Sequence, residues 1–594
     1  MQPFDVRVAS PTPQSIHQRM HQWSLTDLTV SIPSSSSKNP TSTIPRSTGS
    51  RWRTKEFYLY YLIFLIVVPN MYYSAVKVSS SKNPLYPTYQ HKLSKGWLFG
   101  SKIDNSDHQY YLFRSHLPLL TILFTLYLSL SHISRRILPQ TRTCRSYFIL
   151  SFSLCMLAAL HGTSLIKMLV ILYANWSIAR LAFEEKRGRV RREWVPFLTW
   201  GFNVGMLFAN SIYGGYEFGS ISASLAWLDD YKGLLPRWQI MWNISMLRII
   251  SFNMELYWST IPAPPPSSPS SVPLTSRPRP QQPQQTPTIS PDPILNNFSF
   301  PLFLSYVFYP PLYLAGPILT YPSYLSQLTP STTSTSSSDE SSSKAILRYG
   351  LRFLISLGTM EVVLHSMYVV AIKDSPGEWW KGLGPMQVSM IGFWNLIIVW
   401  LKLLIPWRYF RLVSLMDGIN PPENMVRCMA NNYSTLGFWR SWHRSYNLWI
   451  IRYLYVPLGG SKRPILSTLV VFTFVALWHD LSMRLLAWGW IISLFVLPEM
   501  LCTTLISYKK YGEQWWYRHL AAIGGVFNVL LMMTANLVGF VVGIDGAKGL
   551  WKKMLGTIDG RVFMGLASGC LFVAVQVMFE YREEERRKGV NRRC

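Results

Sequence analysis

Long apolar runs recur from one end of the chain to the other, and most approach the ~20 residues that a helix needs to cross a bilayer. The first run, residues 57–76, begins well inside the sequence and has no small-residue cleavage site behind it, so it reads as a retained span rather than a signal peptide. Others follow at 118–130, 147–160, 165–181 and 195–213. A denser second half carries runs at 345–372, 386–406, 465–478, 485–506, 520–544 and 562–579. Residues 238–258 have helical spacing but mixed polarity, which predicts a helix at the interface or inside a bundle. The pattern predicts an all-α polytopic membrane protein, a helical bundle of about eleven spans plus re-entrant or interfacial helices.

Polar stretches divide this pattern. Residues 1–55 are basic and rich in Ser, Pro and Thr, and lack the apolar periodicity to build a core, which predicts a disordered tail. The membrane domain then extends over 56–580, with flexible inserts at 261–297, dense in Pro, Ser and Gln, and at 328–344, almost all Ser and Thr. Between the inserts lies YVFYPPLYLAGPI, residues 306–318, whose prolines do not fit an unbroken helix interior; a kinked or re-entrant piece is expected. Residues 581–594 form a basic tail, placed in the cytosol by the positive-inside tendency.

Charge and cysteine content change the picture little. The formal net charge of +28 resides largely in basic residues flanking apolar runs, which membrane topology explains without a nucleic-acid partner. The six cysteines are scattered without CxxC spacing, so neither a zinc site nor a disulfide framework is indicated, and no metal site is expected.

Two stretches hold ionisable groups among apolar ones. In FWRSWHRSYNLWIIRYLYVPLGG, residues 438–460, continuous helical spacing would align Trp439, His443 and Asn447 on one face and Arg440 and Arg444 on a neighbouring one. A plain interfacial helix with snorkelling arginines has the same pattern. In STLVVFTFVALWHDLSMRLLAWGW, residues 467–490, the apolar run preceding His479 rises only about 21 Å at 1.5 Å per residue, short of the roughly 30 Å hydrocarbon thickness. His479 is therefore expected at membrane depth, where an ionisable side chain is a candidate functional group. A buried histidine bonded to a backbone carbonyl is the alternative.

Together, WRSWHRSYNLWIIRYLYVPLGG, ALWHD, the following AWG and the AGPI at 315–318 resemble the paired signature of the membrane-bound O-acyltransferase family. KGWLFGSKIDNSDHQYYLFR, YPPLYLAGPILTY and NNYSTLGFWRSWHRSYNLW make the sequence most similar to the fungal branch named for glycerol uptake. The resemblance covers most of 57–579 outside the two inserts. It implies transfer of a fatty acyl group from acyl-CoA to a hydroxyl, with His479 as the base and His443 as an orienting or polarising group. Trp439, Arg440, Arg444, Asn447 and Trp478 are the expected substrate-binding residues, the arginine forks suiting the pyrophosphate of coenzyme A. The branch further implies an endoplasmic reticulum enzyme that remodels glycosylphosphatidylinositol (GPI) anchors on a lyso-lipid hydroxyl. The implied partners are acyl-CoA, that acceptor and membrane lipid, with no cofactor beyond acyl-CoA as co-substrate and no protein partner identified. Asp480 would orient His479 only if the helix broke there, because adjacent helical side chains diverge. The rival reading is a transporter, whose best support is Glu361 and His365, four apart in one apolar segment; no inverted repeat accompanies them.

Overall fold

A computed structural model describes residues 49–98, 100–184, 192–261, 296–329, 343–588 and 590. The tail expected at 1–55 and the inserts expected at 261–297 and 328–344 lie almost wholly outside these residues, as does the end of the basic C-terminal tail.

The apolar runs fold as helices. Helix α1 is Lys55–Ser79, started by the Thr54 hydroxyl accepting from Phe57 N. A short antiparallel hairpin, β1 (Leu93–Lys95) and β2 (Lys102–Asp104), leads to α2 (His108–Ile137), which Asp107 caps through Tyr110 N. Then come α3 (Arg142–His161), α4 (Ser164–Glu184), α5 (Trp194–Ile212) and α6 (Trp238–Ser259). The proline-rich stretch breaks into three short helices, α7 (Phe300–Val307), α8 (Pro310–Tyr313) and α9 (Tyr321–Gln327). The second half supplies α10 (Ser343–Ser366), α11 (Val369–Lys373) and α12 (Pro385–Met416), then the short α13 (Thr435–Ser441) and α14 (Arg444–Ile450). It closes with α15 (Pro464–His479), α16 (Met483–Leu505), α17 (Tyr517–Asn536), α18 (Gly543–Leu555) and α19 (Ile558–Arg587). Among the described residues, eight helices are long and apolar enough to cross a membrane. The protein is an all-α polytopic membrane protein.

Helix α6, whose mixed polarity left its position open, lies in the bundle interior. Its residues from Ser245 to Met254 are all buried, and α4, α5, α7 and α9 pack around it. Its polar side chains have backbone partners. Arg248, 1% exposed, donates to the Val307 and Leu312 carbonyls at 2.8 and 2.5 Å, spanning the α7–α8 break. Ser251 Oγ accepts from Tyr321 N at 3.1 Å. From α3, Ser153 Oγ donates to Phe308 O at 3.0 Å, and Tyr306 OH reaches Leu319 O at 2.6 Å. The prolines free backbone groups that lipid cannot satisfy, and these side chains satisfy them instead.

Two buried carboxylates clasp distant helices. Asp417, just after α12, accepts from Tyr127 OH (2.9 Å), Ser131 Oγ (2.7 Å), Tyr309 OH (2.6 Å) and Arg135. Glu580 on α19 accepts from Arg51 N at 3.1 Å, from Arg587 at 2.5 Å, and faces Arg518 of α17 at 3.8 Å. The last helix thus holds the residues that lead into the first.

Helices α15 and α16 form a tight hairpin across Asp480–Ser482, with the Ser482 hydroxyl capping α16. Their approach is set by Gly489, where a Cβ would lie 2.8 Å from the Phe472 carbonyl oxygen and 3.3 Å from the Ala476 Cβ. Backbone oxygen cannot give way as a flexible side chain can. Gly489→Ala is expected to lower stability by about 1–3 kcal/mol through overpacking, and Gly489→Leu to prevent recovery of monodisperse protein; thermal unfolding in detergent and gel filtration check the two outcomes.

Candidate functional site

The segment around His443 is a broken helix, not the continuous one that the sequence pattern suggests. Helix α13 ends at Ser441, Trp442 is extended (φ −88, ψ 130), and His443 is left-handed (φ 46, ψ 50) as α14 begins. Trp439, His443 and Asn447 therefore do not share one helical face. The cause lies earlier in the chain: the Asn424 carbonyl accepts from Arg444 N at 2.9 Å, and its side-chain oxygen accepts from Ser445 N at 3.2 Å. Ser445 Oγ in turn accepts from Ile318 N at 2.8 Å, at the end of the AGPI turn. A non-glycine residue in the left-handed region costs about 1–2 kcal/mol, and this clamp offsets it. The result projects the imidazole against Trp407, stacked at 4.4 Å, and Tyr446 at 5.2 Å.

His479 is the last residue of α15, and Asp480 continues in extended conformation. The end of α15 is fixed by a reciprocal pair with α6: Asn243 Nδ2 donates to Trp478 O at 3.1 Å and Trp478 Nε1 donates to Asn243 O at 2.8 Å. The Trp478 ring lies between the two histidines, 4.8 Å from His479 and 6.4 Å from His443. The His479 side chain is exposed, so it stands at the open side of an aromatic chamber that the Trp478 and Trp488 rings flank. Trp488 forms another wall, 6.5 Å from His479 and 5.5 Å from Trp439. Asp480 is exposed, and no hydrogen bond links it to His479.

Tyr446 OH, Trp439 Nε1 and Trp488 Nε1 are buried around this chamber without a hydrogen-bond partner. Leaving such donors unpaired costs roughly 1–3 kcal/mol each. Among the described residues, no group of His, Cys, Asp and Glu is arranged to hold a metal.

Of the residues expected to bind substrate, Trp439 and Trp478 line the chamber. Asn447 lies a turn along α14, half-buried, with Arg444 at that helix's start. Arg440 is exposed on α13. Arg452, a further cation of the motif, is engaged by Glu255 at 2.6 and 2.8 Å. Sequence reasoning missed Trp407, Tyr446, Asn424 and Asn243. Only Tyr446, inside the motif, carried a signal that could have been followed; the others act across the fold.

The Glu361–His365 pair has a different task. Glu361 is 7% exposed and accepts from Trp97 Nε1 at 3.0 Å, with Arg114 Nε at 2.9 Å and Tyr110 OH at 3.4 Å. His365 bonds the Glu361 carbonyl through Nδ1 at 2.7 Å and accepts from Trp97 N through Nε2 at 3.3 Å. Both ring nitrogens are engaged in fastening the β1–β2 loop to α10, so the pair is a latch.

This chain belongs to the membrane-bound O-acyltransferase family, whose sequence model matches residues 228–544 and so spans both histidines. It is 44% identical to the membrane-bound O-acyltransferase GUP1 of Candida tropicalis, over 92% of this chain and 90% of that protein. It is 43% identical to GUP1 of Saccharomyces cerevisiae, over 92% and 94% respectively. It is also 28% identical, over 46% of this chain and 56% of the relative, to the protein-cysteine N-palmitoyltransferase HHAT of Mus musculus.

Two outcomes follow from these contacts. Asn424→Ala removes the side-chain half of the clamp on the His443 turn and is expected to cost about 1–3 kcal/mol of stability, whereas Asn424→Asp keeps the acceptor oxygen and should cost less; thermal unfolding of the purified variants compares them. Glu361→Gln leaves Arg114 without its ion pair and is expected to lower the melting temperature while acyl transfer per folded molecule stays at the wild-type level, measured on the same reconstituted samples.

Proposed function

We propose that the protein transfers a long-chain fatty acyl group from acyl-CoA to the hydroxyl of a lyso-lipid, in the remodelling of GPI anchors. The observation that carries this reading is the pair His443 and His479, both in ring contact with Trp478. In this reading His479 accepts the proton of the acceptor hydroxyl, whose oxygen then attacks the thioester carbonyl carbon. The carbonyl electrons move onto oxygen, and the collapse of that adduct breaks the carbon–sulfur bond. The coenzyme A thiolate leaves and takes the proton from the imidazolium, so the base is restored. A neutral imidazole is the side chain suited to this exchange near neutral pH.

His443 and the unpaired N–H and O–H donors of the chamber are placed to polarise the thioester carbonyl and to stabilise the charge that develops on it. The apolar faces of Trp439, Trp478 and Trp488 limit the water that would compete as acceptor. Arg440 and Arg444 supply guanidinium groups for the pyrophosphate of coenzyme A, with Asn447 as a further polar contact. No cofactor takes part; acyl-CoA is a co-substrate.

The relatives named as O-acyltransferases support a hydroxyl acceptor. The N-palmitoyltransferase relative acts, by its name, on protein cysteine, so acceptor type differs between these similar chains. The basic C-terminal end supports a cytosolic C terminus by the positive-inside tendency. In this reading the enzyme resides in the endoplasmic reticulum membrane.

The test is acyl transfer from labelled acyl-CoA to a lyso-lipid by purified, reconstituted protein. His479→Ala should reduce transfer by about 10²-fold to 10⁴-fold while the melting temperature holds. His443→Asn should be milder than His443→Ala for two reasons: an amide can still donate a hydrogen bond, and asparagine tolerates the left-handed backbone that alanine resists. Transfer at the wild-type rate by a stable His479→Ala protein rejects the assignment.

A further inference from the structure

The exposed apolar stripe of α4 ends in a notch. Ile166, Val170 and Tyr173 are exposed along that helix at helical spacing, and Arg180, exposed two turns beyond Tyr173, continues the line about 10 Å further on. Apolar exposure that gives way to a guanidinium marks the depth at which hydrocarbon gives way to headgroups. At that depth a cavity of about 360 Å³ lies between the end of α4, Leu256 near the end of α6 and the entry to α7. Its walls include the rings of Trp176, Phe183, Phe298 and Phe300, with Arg180 at the rim.

The walls are fixed by their own contacts. Trp176 Nε1 donates to Phe298 O at 3.1 Å, and the Trp176 and Phe300 ring centroids lie 5.3 Å apart. Arg180 lies over the Trp176 ring, 4.8 Å from its centroid, and among the described residues no carboxylate pairs with it. A guanidinium held over an indole keeps N–H donors for a second partner, and its fork matches the oxygens of a phosphate. Ser299, also in the lining, leaves its hydroxyl out of the capping of α7. On α6, Glu255 is held by Arg452 and Tyr453 and does not neutralise the notch. After α4 the sequence reads KRGRVRR at 186–192, five cations in seven residues against Glu184, Glu185 and Glu193 around them. The charge on this side of α4 is therefore positive, and basic clusters beside a span attract anionic lipids.

We propose that this notch binds the headgroup phosphate of an anionic phospholipid drawn from the leaflet on the basic side of the bundle. Arg180 grips the phosphate, Ser299 is a further donor, and the glycerol and first acyl carbons lie against the aromatic walls, in a volume within the range of small-molecule sites. One acyl chain continues along the stripe of Ile166, Val170 and Tyr173. The site contains neither His443 nor His479, and the inference stands whether or not the chain transfers an acyl group. The lipid bears on α6, whose end holds Arg452 and Tyr453 through Glu255 and stacks Trp258 on Tyr453 at 5.6 Å.

The experiment measures equilibrium binding of fluorescent phosphatidate, with fluorescent phosphatidylcholine as the neutral comparison, to the full chain purified in an uncharged detergent. Wild type is expected to bind phosphatidate more tightly. Arg180→Gln should weaken that binding by about tenfold, the effect of losing a charge-assisted hydrogen bond. Arg180→Lys, which keeps the charge without the fork, should weaken it by about threefold. Arg180 is exposed, so neither variant disturbs the interior. Arg136→Gln removes an exposed arginine in the last turn of α2, outside the notch, and should leave binding unchanged. Equal wild-type affinity for the two lipids, undiminished phosphatidate binding by Arg180→Gln, or an equal loss in Arg136→Gln, which would mean diffuse surface charge, overturns the inference. Displacement of the lipid by inorganic phosphate at matching concentration also overturns it, because the notch would then hold a free anion.

Discussion

Backbone that leaves the helical path at membrane depth must find hydrogen-bond partners inside the protein, and this constraint organises the structure. The prolines of residues 306–318 break the helical ladder where lipid offers no replacement. Helix α6 answers the break: Arg248 bridges two freed carbonyls and Ser251 accepts a freed N–H. The same helix takes Trp449 Nε1 on its Leu247 carbonyl at 2.8 Å and pairs with the end of α15 through Asn243. One buried helix thus supports the broken stretch and locates both histidine-bearing segments.

That arrangement explains why the site can hold strained and unsatisfied groups. A left-handed histidine and three unpartnered buried donors would favour local unfolding if they stood in a loosely tied loop. Here the left-handed turn is tied to Asn424, Ser445 and Ile318, and the α15 terminus to α6. Asp417 fastens α2, α8's entry and the end of α12 together. Rigidity around the chamber lets its polar groups remain unsolvated and aimed, which is the condition for electrostatic preorganisation.

Much of this was legible in the residues. The apolar runs gave the helices, and the doubled proline at 310–311 gave the break. The aromatic and basic motif pointed to His443 as well. What the motif did not carry was the turn at His443, because the competing hydrogen bonds come from Asn424, nineteen residues upstream. Periodicity describes a segment alone, whereas this break is imposed from outside it. Glu361 and His365 show the converse: their spacing suggested a proton-handling pair, and only the loop contributed by Trp97, far away in sequence, shows that both are engaged in holding it.

The contact between Arg51 and Glu580 has a bearing on biosynthesis. A membrane protein inserts as it is translated, and the first span reaches the bilayer long before the last is made. Until α19 arrives, the Arg51 amide that leads into α1 lacks its acceptor and Arg518 of α17 lacks Glu580. The nascent chain therefore carries that amide without its carboxylate through nearly its whole synthesis and supplies the acceptor in its final step. A chain truncated ahead of α19 remains in that unfinished state, which gives cellular quality control a means of telling it from a complete one.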